Sequence, residues 1–343
     1  MPPAEADTEY LALTSVAGVV DCSDRTQLEI TGDDRATLLH NLTTNAVRGL
    51  AVGNGCETFT LDVRGHVVGH FFVFCTPQSL VIDTVPGQAE RLLPHFERYH
   101  VREQVEFHDR TAEWGELLVA GPKAAAAVER LLGPVPERAL SHREVSWTAG
   151  GEAHAVWLRR VDLIGPGDFL IAGPRKTLPR LQAALRDAGV MQCSAAALET
   201  ARIEAGFPWF GVDITDKNLP QEVGRDGRAI SFTKGCYLGQ ETVARIDALG
   251  HVNRTLVGVR FGAGEIPRPG DELWPGEGNG EAEAAVGTVT SATFSPRLAA
   301  PLALAYLRRG HNAPGTKLHW RSGAAEVVAL PVASSEPGMS VPG

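Results

Sequence analysis

One local pattern recurs three times in the first two thirds of the chain: an apolar, strand-like run, a glycine, then an amphipathic helical run. It stands at 28–42 (LEITGDDRATLLHNL), 117–132 (LLVAGPKAAAAVERLL) and 170–185 (LIAGPRKTLPRLQAAL). In the first copy Asp33 or Asp34 can cap the helix, and Leu38, Leu39 and Leu42 form its apolar stripe. Each stripe needs a sheet to cover, so three copies point to an α+β fold. Residues 57–74 (ETFTLDVRGHVVGHFFVF) read as a hairpin turning at Arg64-Gly65, and 80–85 (LVIDTV), 104–108 and 157–163 supply further strands. A mixed sheet with helices over one face is expected.

After Arg254 the texture changes. Strand-like runs at 256–261, 285–293, 302–307 and 326–330 alternate with Gly/Pro clusters, and no long helical run appears. This part reads as a small all-β sandwich or barrel ending in a frayed Ser/Pro/Gly-rich tail. A length of 343 residues favours two or three domains.

Composition narrows the function. A net charge of -9 without a basic run argues against nucleic-acid binding. The first ten residues show no leader pattern, and the longest greasy stretch, 71–75, falls far short of the roughly 20 residues that span a bilayer. A cytoplasmic, non-membrane protein is expected. The five cysteines, Cys22, Cys56, Cys75, Cys193 and Cys236, are scattered and form no CxxC pair. Free thiols in a reducing compartment fit this usage, and no metal site is expected from this chain alone.

The stretch richest in chemistry is 232–246, FTKGCYLGQETVARI. Gly235 permits an unusual turn, 237–246 is expected to be helical, and Glu241 and Arg245 then stand at i and i+4. Cys236 would lie at the N-terminus of that helix beside Lys234, where dipole and ammonium favour a thiolate. The alternative is a small buried filler, the usual fate of a lone cysteine. Only five of the 32 basic residues are lysines (Lys123, Lys176, Lys217, Lys234 and Lys317). A lysine has therefore escaped a strong bias to arginine, and at 234 its compact ammonium suits a place beside a thiolate.

The run Lys234, Gly235, Cys236, Tyr237, Gly239, Gln240, Glu241 and Arg245 resembles the signature of the YgfZ family. YgfZ proteins are folate-binding relatives of the glycine-cleavage T-protein, the aminomethyltransferase, and are linked to making or repairing iron–sulfur clusters. The resemblance extends to 38–47 (LLHNLTTNAV), 201–212 (ARIEAGFPWFGV) and 286–306 (VGTVTSATFSPRLAAPLALAY). It implies a three-domain cloverleaf around a folate cleft. The corresponding division is 1–55 with 150–250, then 56–149, then a barrel at 251–331 and a tail at 332–343.

The resemblance also implies site residues. Glu204 takes the place of the family's pterin-binding glutamate, since a carboxylate can accept two adjacent pterin N–H groups. Asn45 is a second folate candidate, or only a helix cap. Arg202 reads as structural, and Trp209 and Phe210 as walls of the cleft. Where the aminomethyltransferase carries its acid pair, this chain has Gly69 and His70, so whether it is a catalyst stays open. His70 is either a base or a structural strand histidine. The implied function is tetrahydrofolate binding in support of iron–sulfur cluster assembly or repair, with Cys236 and Lys234 at its chemical centre. Partners would be folate and iron–sulfur proteins or assembly factors, and a monomer is expected. The alternatives are a folate-dependent aminomethyltransferase or demethylase, and a scaffold that binds client proteins.

Overall fold

The computed structural model describes residues 3–276 and 284–333. They divide into two units, one of 3–198 with 209–251 and the other of 199–208 with the described residues from 252 on. The larger begins with α1 (Pro3–Ser15), β1 (Gly18–Asp21), β2 (Thr26–Thr31) and α2 (Arg35–Leu42). The hairpin β3 (Gly55–Leu61) and β4 (Val67–Cys75) follows, then β5 (Leu80–Thr84), α3 (Ala89–Arg98) and β6 (Glu106–Asp109). The chain continues through β7 (Trp114–Ala120), α4 (Ala124–Leu132), β8 (His142–Ala149), β9 (Glu152–Val161) and β10 (Asp168–Pro174). After α5 (Leu178–Asp187) and β11 (Met191–Cys193), α6 (Ala195–Ala205) leads into the smaller unit. The chain returns to the larger unit with α7 (Asp226–Ala229) and α8 (Gln240–Leu249).

Two sheets result. One is antiparallel, in the order β3-β4-β5-β2-β6; the other runs β11-β1-β7-β10-β9-β8 and is mixed, because β1 pairs parallel with β11. The period of two divides each strand between two faces. Leu28, Ile30, Val73 and Ile82 bury against Leu38, Leu39 and Leu42 of α2 and Leu92 and Phe96 of α3. Likewise Leu117, Val119, Leu158 and Ile171 meet Val128 and Leu132 of α4 and Leu181 and Leu185 of α5. The opposite strand faces carry Gln27, Asp83, Glu116 and Arg159, which bond to one another and so join the two sheets.

All three recurring units are therefore strand followed by helix, and glycine serves a steric purpose between them. Gly32 has φ +96°, and a Cβ there would stand 2.0 Å from the Gln104 carbonyl oxygen. The cap differs from expectation: Asp34 occupies the N-cap but makes no capping bond, because its Oδ2 accepts the Gln104 N–H at 2.9 Å. The expected boundary between 55 and 56 does not follow the sheets either. Strands from both sides of it, β2 and β3 to β5, share one sheet, since β2 pairs with β5. Hydrophobic pattern marks strands, but only pairing decides which sheet receives them.

The smaller unit is a closed barrel of β12 (Arg254–Phe261), β13 (Glu272–Pro275), β14 (Gly287–Ser295), β15 (Ala300–Arg308), β16 (Lys317–Trp320) and β17 (Gly323–Val328). Phe261, Leu273, Leu307 and Trp320 fill it. Ile203, near the end of α6, packs outside on Leu302, Leu304 and Val332. Of the tail expected at 332–343, 334–343 lie outside the described residues; Val332 is docked, its N–H donating to the Glu204 carbonyl at 2.8 Å. Among the described residues no helix is long and apolar enough to cross a membrane.

Candidate functional site

In the larger unit the segment from Trp209 to Leu249 folds over the hairpin end of the five-stranded sheet. Phe210, Ile214, Val223, Tyr237 and Val243 bury against Phe59, Leu61 and Val67. Within it, 225–238 forms a strap fastened to the turn that follows α2. Thr44 Oγ1 donates to the Ala229 carbonyl at 2.7 Å, the Ser231 N–H donates to the Thr44 carbonyl at 3.0 Å, and the Leu238 N–H donates to the Asn41 carbonyl at 2.9 Å.

Lys234 is the strongest of these fastenings. Its Nζ donates to the carbonyls of His40 (2.5 Å), Thr43 (2.6 Å) and Asn45 (2.9 Å), and it lies 4.9 Å from the centroid of the Tyr237 ring. The last carbonyls of a helix lack intrahelical partners and carry its negative pole, so an ammonium fits there. Burial pushes Lys234 down to about 8, with Arg48 adding to the fall and Cys56 opposing it. The three acceptors favour the charged form, which alone has a hydrogen for each. The expected pairing with Cys236 is not made: the ammonium is turned to the end of α2, where the carbonyls are.

Other motif residues also differ from expectation. The helix α8 starts at Gln240, so Cys236 lies four residues ahead of it on irregular, exposed chain. Gly235 lacks a positive φ, and a Cβ there would meet nothing within 4 Å. The strained glycine is Gly239, with φ +79° and a virtual Cβ 2.5 Å from the Asp62 carbonyl oxygen. It lets α8 approach the hairpin tip, where Thr242 Oγ1 donates to the Arg64 carbonyl at 2.8 Å. Tyr237 is buried, with burial first and Asp247 second pushing its phenol up to about 12, and its N–H donates to Gln240 Oε1 at 3.3 Å. Glu241 and Arg245 are exposed and, among the described residues, form no ion pair with each other. Both point outward, whereas Val243 and Ile246 are buried.

Asn45 is neither the helix cap, which is Thr43, nor an open hydrogen-bonding group. Its Nδ2 donates to the carbonyls of Glu57 (2.9 Å) and Arg228 (2.8 Å), and its Oδ1 accepts the Ala46 N–H. This occupies both amide hydrogens and makes Asn45 a brace between β3 and the strap. Beneath it lies a buried charged chain that sequence reasoning missed. Glu57 meets His70 Nε2 at 2.7 Å and receives both Nε (2.6 Å) and Nη2 (2.5 Å) of Arg225. Burial pushes the Glu57 carboxyl up, but the bonds from His70 and Arg225 outweigh it and hold the group at about 2. His70 also stacks on Phe59 with ring centroids 4.8 Å apart. The position expected to bear an acid thus bears an imidazole clamped to an acid from the neighbouring strand. The available signal was register: Phe59 lies opposite His70, which places Glu57 and His70 on the same face.

Glu204 belongs to the smaller unit. It is 2% exposed, and its Oε1 accepts from Ser295 Oγ at 2.5 Å and from the Arg297 N–H at 3.4 Å, while its Oε2 lies 3.4 Å from Arg297 Nε. A solvated helix residue is excluded, and the carboxylate is held at the end of β14. Arg202 is structural, as expected: it is buried, pairs with Glu199 and donates to the Phe207 carbonyl at 2.9 Å. Of the five cysteines only Cys236 is exposed. Burial pushes the thiols of Cys22, Cys56 and Cys193 up to about 12, so they are poor nucleophiles. No group of three or more His, Cys, Asp or Glu among the described residues could hold a metal ion.

Comparison with known proteins places this arrangement. The GCVT N-terminal domain family matches residues 3–234, and the glycine cleavage T-protein C-terminal barrel domain matches 254–335. The chain belongs to the glycine cleavage T-protein family. A relative from Symbiobacterium thermophilum named aminomethyltransferase is 30% identical, covering 94% of this chain and 88% of its own length. Another of that name, from Streptomyces avermitilis, is 28% identical over 94% and 88%. The solved glycine cleavage system aminomethyltransferase T from Bartonella henselae superposes with a TM-score of 0.84 at 20% identity, covering 97% of this chain and 90% of that one. The T-protein fold, mixed α+β with a six-stranded barrel, thus extends over nearly the whole chain.

Proposed function

We propose that this T-protein family member belongs to its YgfZ branch, binds tetrahydrofolate or another folate, and supports iron–sulfur cluster assembly or repair through Cys236. The observation that carries this reading is a division of labour within the motif. Lys234, Tyr237, Gly239 and Gln240 each have a structural task, whereas Cys236 is exposed and takes no part in packing. Glu204, already held by Ser295 and Arg297, is the proposed pterin acceptor. Iron–sulfur proteins or their assembly factors would be the partners, in the cytoplasm.

Two measurements test this. In a strain lacking the protein, wild type should restore iron–sulfur enzyme activity and Cys236→Ser should restore little; full rescue by Cys236→Ser removes the thiol from the function. Calorimetric titration with tetrahydrofolate should give binding that Glu204→Gln weakens at least about tenfold, since a charge-assisted hydrogen bond contributes about 1.5–3 kcal/mol. Absence of binding to wild type overturns the folate assignment. The relatives named aminomethyltransferase favour a second reading, a folate-dependent aminomethyltransferase or demethylase. Against it, Gly69 and His70 stand where the acid is expected, and His70 is clamped by Glu57. Folate-dependent release of ammonia or formaldehyde from an amine substrate would decide for that second reading.

A further inference from the structure

Between two fixed points of the strap hangs one short free span, Gly235-Cys236. On its far side Tyr237 is buried and bonded to Gln240, and Leu238 is bonded to Asn41. On its near side stands Lys234 with its three carbonyls. Within the span, Gly235 lacks a positive φ and has no atom within 4 Å of its virtual Cβ, and both residues are exposed. No packing therefore holds Cys236 in place, and glycine is the residue least able to hold itself. The orientation of the thiol is set by the two ends.

We propose that Lys234 is the positioning residue for Cys236: its ammonium locks the near end of the span to the C-terminal end of α2, and it does not act on the thiol directly. This rests on Cys236 being the reacting group. Lysine is the residue this anchor demands. An ammonium presents three hydrogens around one small centre, which matches three carbonyls converging within 2.9 Å of Nζ. The planar guanidinium fork of arginine cannot present three donors to one point, so arginine should not substitute. That supplies a structural reason for lysine in a chain with only five of them.

The test uses the purified full chain. Treated with an amine-acylating reagent and read by mass spectrometry, Lys234 should react at least about tenfold more slowly than Lys123, Lys176, Lys217 and Lys317, which are all exposed, because its nitrogen is enclosed by three carbonyls, and this outweighs the larger share of free amine that its lowered value of about 8 gives it. Reaction at the same rate overturns the anchor and needs no variant that folds. In Lys234→Met, amide exchange at Ser231 and Leu238 should rise about tenfold, while the pH midpoint for alkylation of Cys236 by iodoacetamide should stay within about 0.3 unit of wild type. A midpoint raised by about one unit would mean that Lys234 tunes the thiol, and unchanged exchange would mean that it holds nothing; either result overturns the proposal. Lys234→Arg should behave as Lys234→Met in exchange, and wild-type protection there also counts against it. None of these readouts uses folate or iron–sulfur enzyme activity, so they fail or succeed separately from the complementation test of Cys236→Ser.

Discussion

The two charged clusters of the larger unit use similar side chains on the same face of the five-stranded sheet, yet they are built oppositely. In one, Asp83 and Glu116 share Arg25 and Arg159 between the two sheets, and both acids are wholly buried. Burial, then the charge of Asp83, pushes Glu116 well above the ordinary carboxylate range. In the other, Glu57 is bonded by both Arg225 and His70 and is held down at about 2. The covering also differs: the Arg159 side chain is 1% exposed beneath a second sheet, whereas Arg225 is 14% exposed on the strap. Two acids in a sealed space compete for protonation, and one acid between two donors stays ionised. The first cluster is a rivet between layers; the second ties the strap to the sheet.

The largest expected effect breaks the rivet. Arg159→Met should lower stability in urea by about 3–5 kcal/mol, because two buried acids lose a shared partner. A loss below about 1 kcal/mol would mean that the sheets are held by apolar packing alone. The clusters should also show opposite pH dependence. Because the folded value of Glu57 lies below its ordinary 4.5, its contribution is complete above that value and is lost as pH falls towards 2. The loss should reach about 3 kcal/mol and disappear in Glu57→Gln. The raised Glu116 has the reverse sign: its contribution is complete below about 4.5 and declines as pH rises through its folded value. If Glu57→Gln retains the full acid-side loss, Glu57 is not its source. The smallest effect concerns the strap itself. Gly239→Ala should destabilise by about 1–3 kcal/mol through its positive φ and the Asp62 carbonyl. Gly235→Ala should change stability by less than about 0.5 kcal/mol. Equal losses would show that the span at Cys236 is packed after all.

Much of the fold was legible because apolar period is local. The three strand–helix units, the hairpin and the helix-free C-terminal part all follow from spacing. Less of the site was legible. The motif singled out Lys234 and Cys236 as candidates, but it did not show that the ammonium faces away to His40, Thr43 and Asn45. Glu57 was missed because nothing in its own neighbourhood distinguishes it from a strand residue facing water; Arg225 lies 168 residues away. The helix start was placed three residues early because Tyr237 to Gly239 are apolar enough to extend the stripe. Gly239 instead takes a left-handed conformation that ends it.

The sequence by itself determined the three strand–helix units, the hairpin, the helix-free C-terminal part, and that one motif carries a cysteine with a rare lysine two positions before it. Those properties depend on side-chain periodicity and composition over a few residues. Only the tertiary structure decided what the lysine binds, which acid clamps His70, and which strands share a sheet. Each of these is a contact between distant segments, fixed by pairing register and by the need to satisfy buried carbonyls and charges where the chain happens to meet itself.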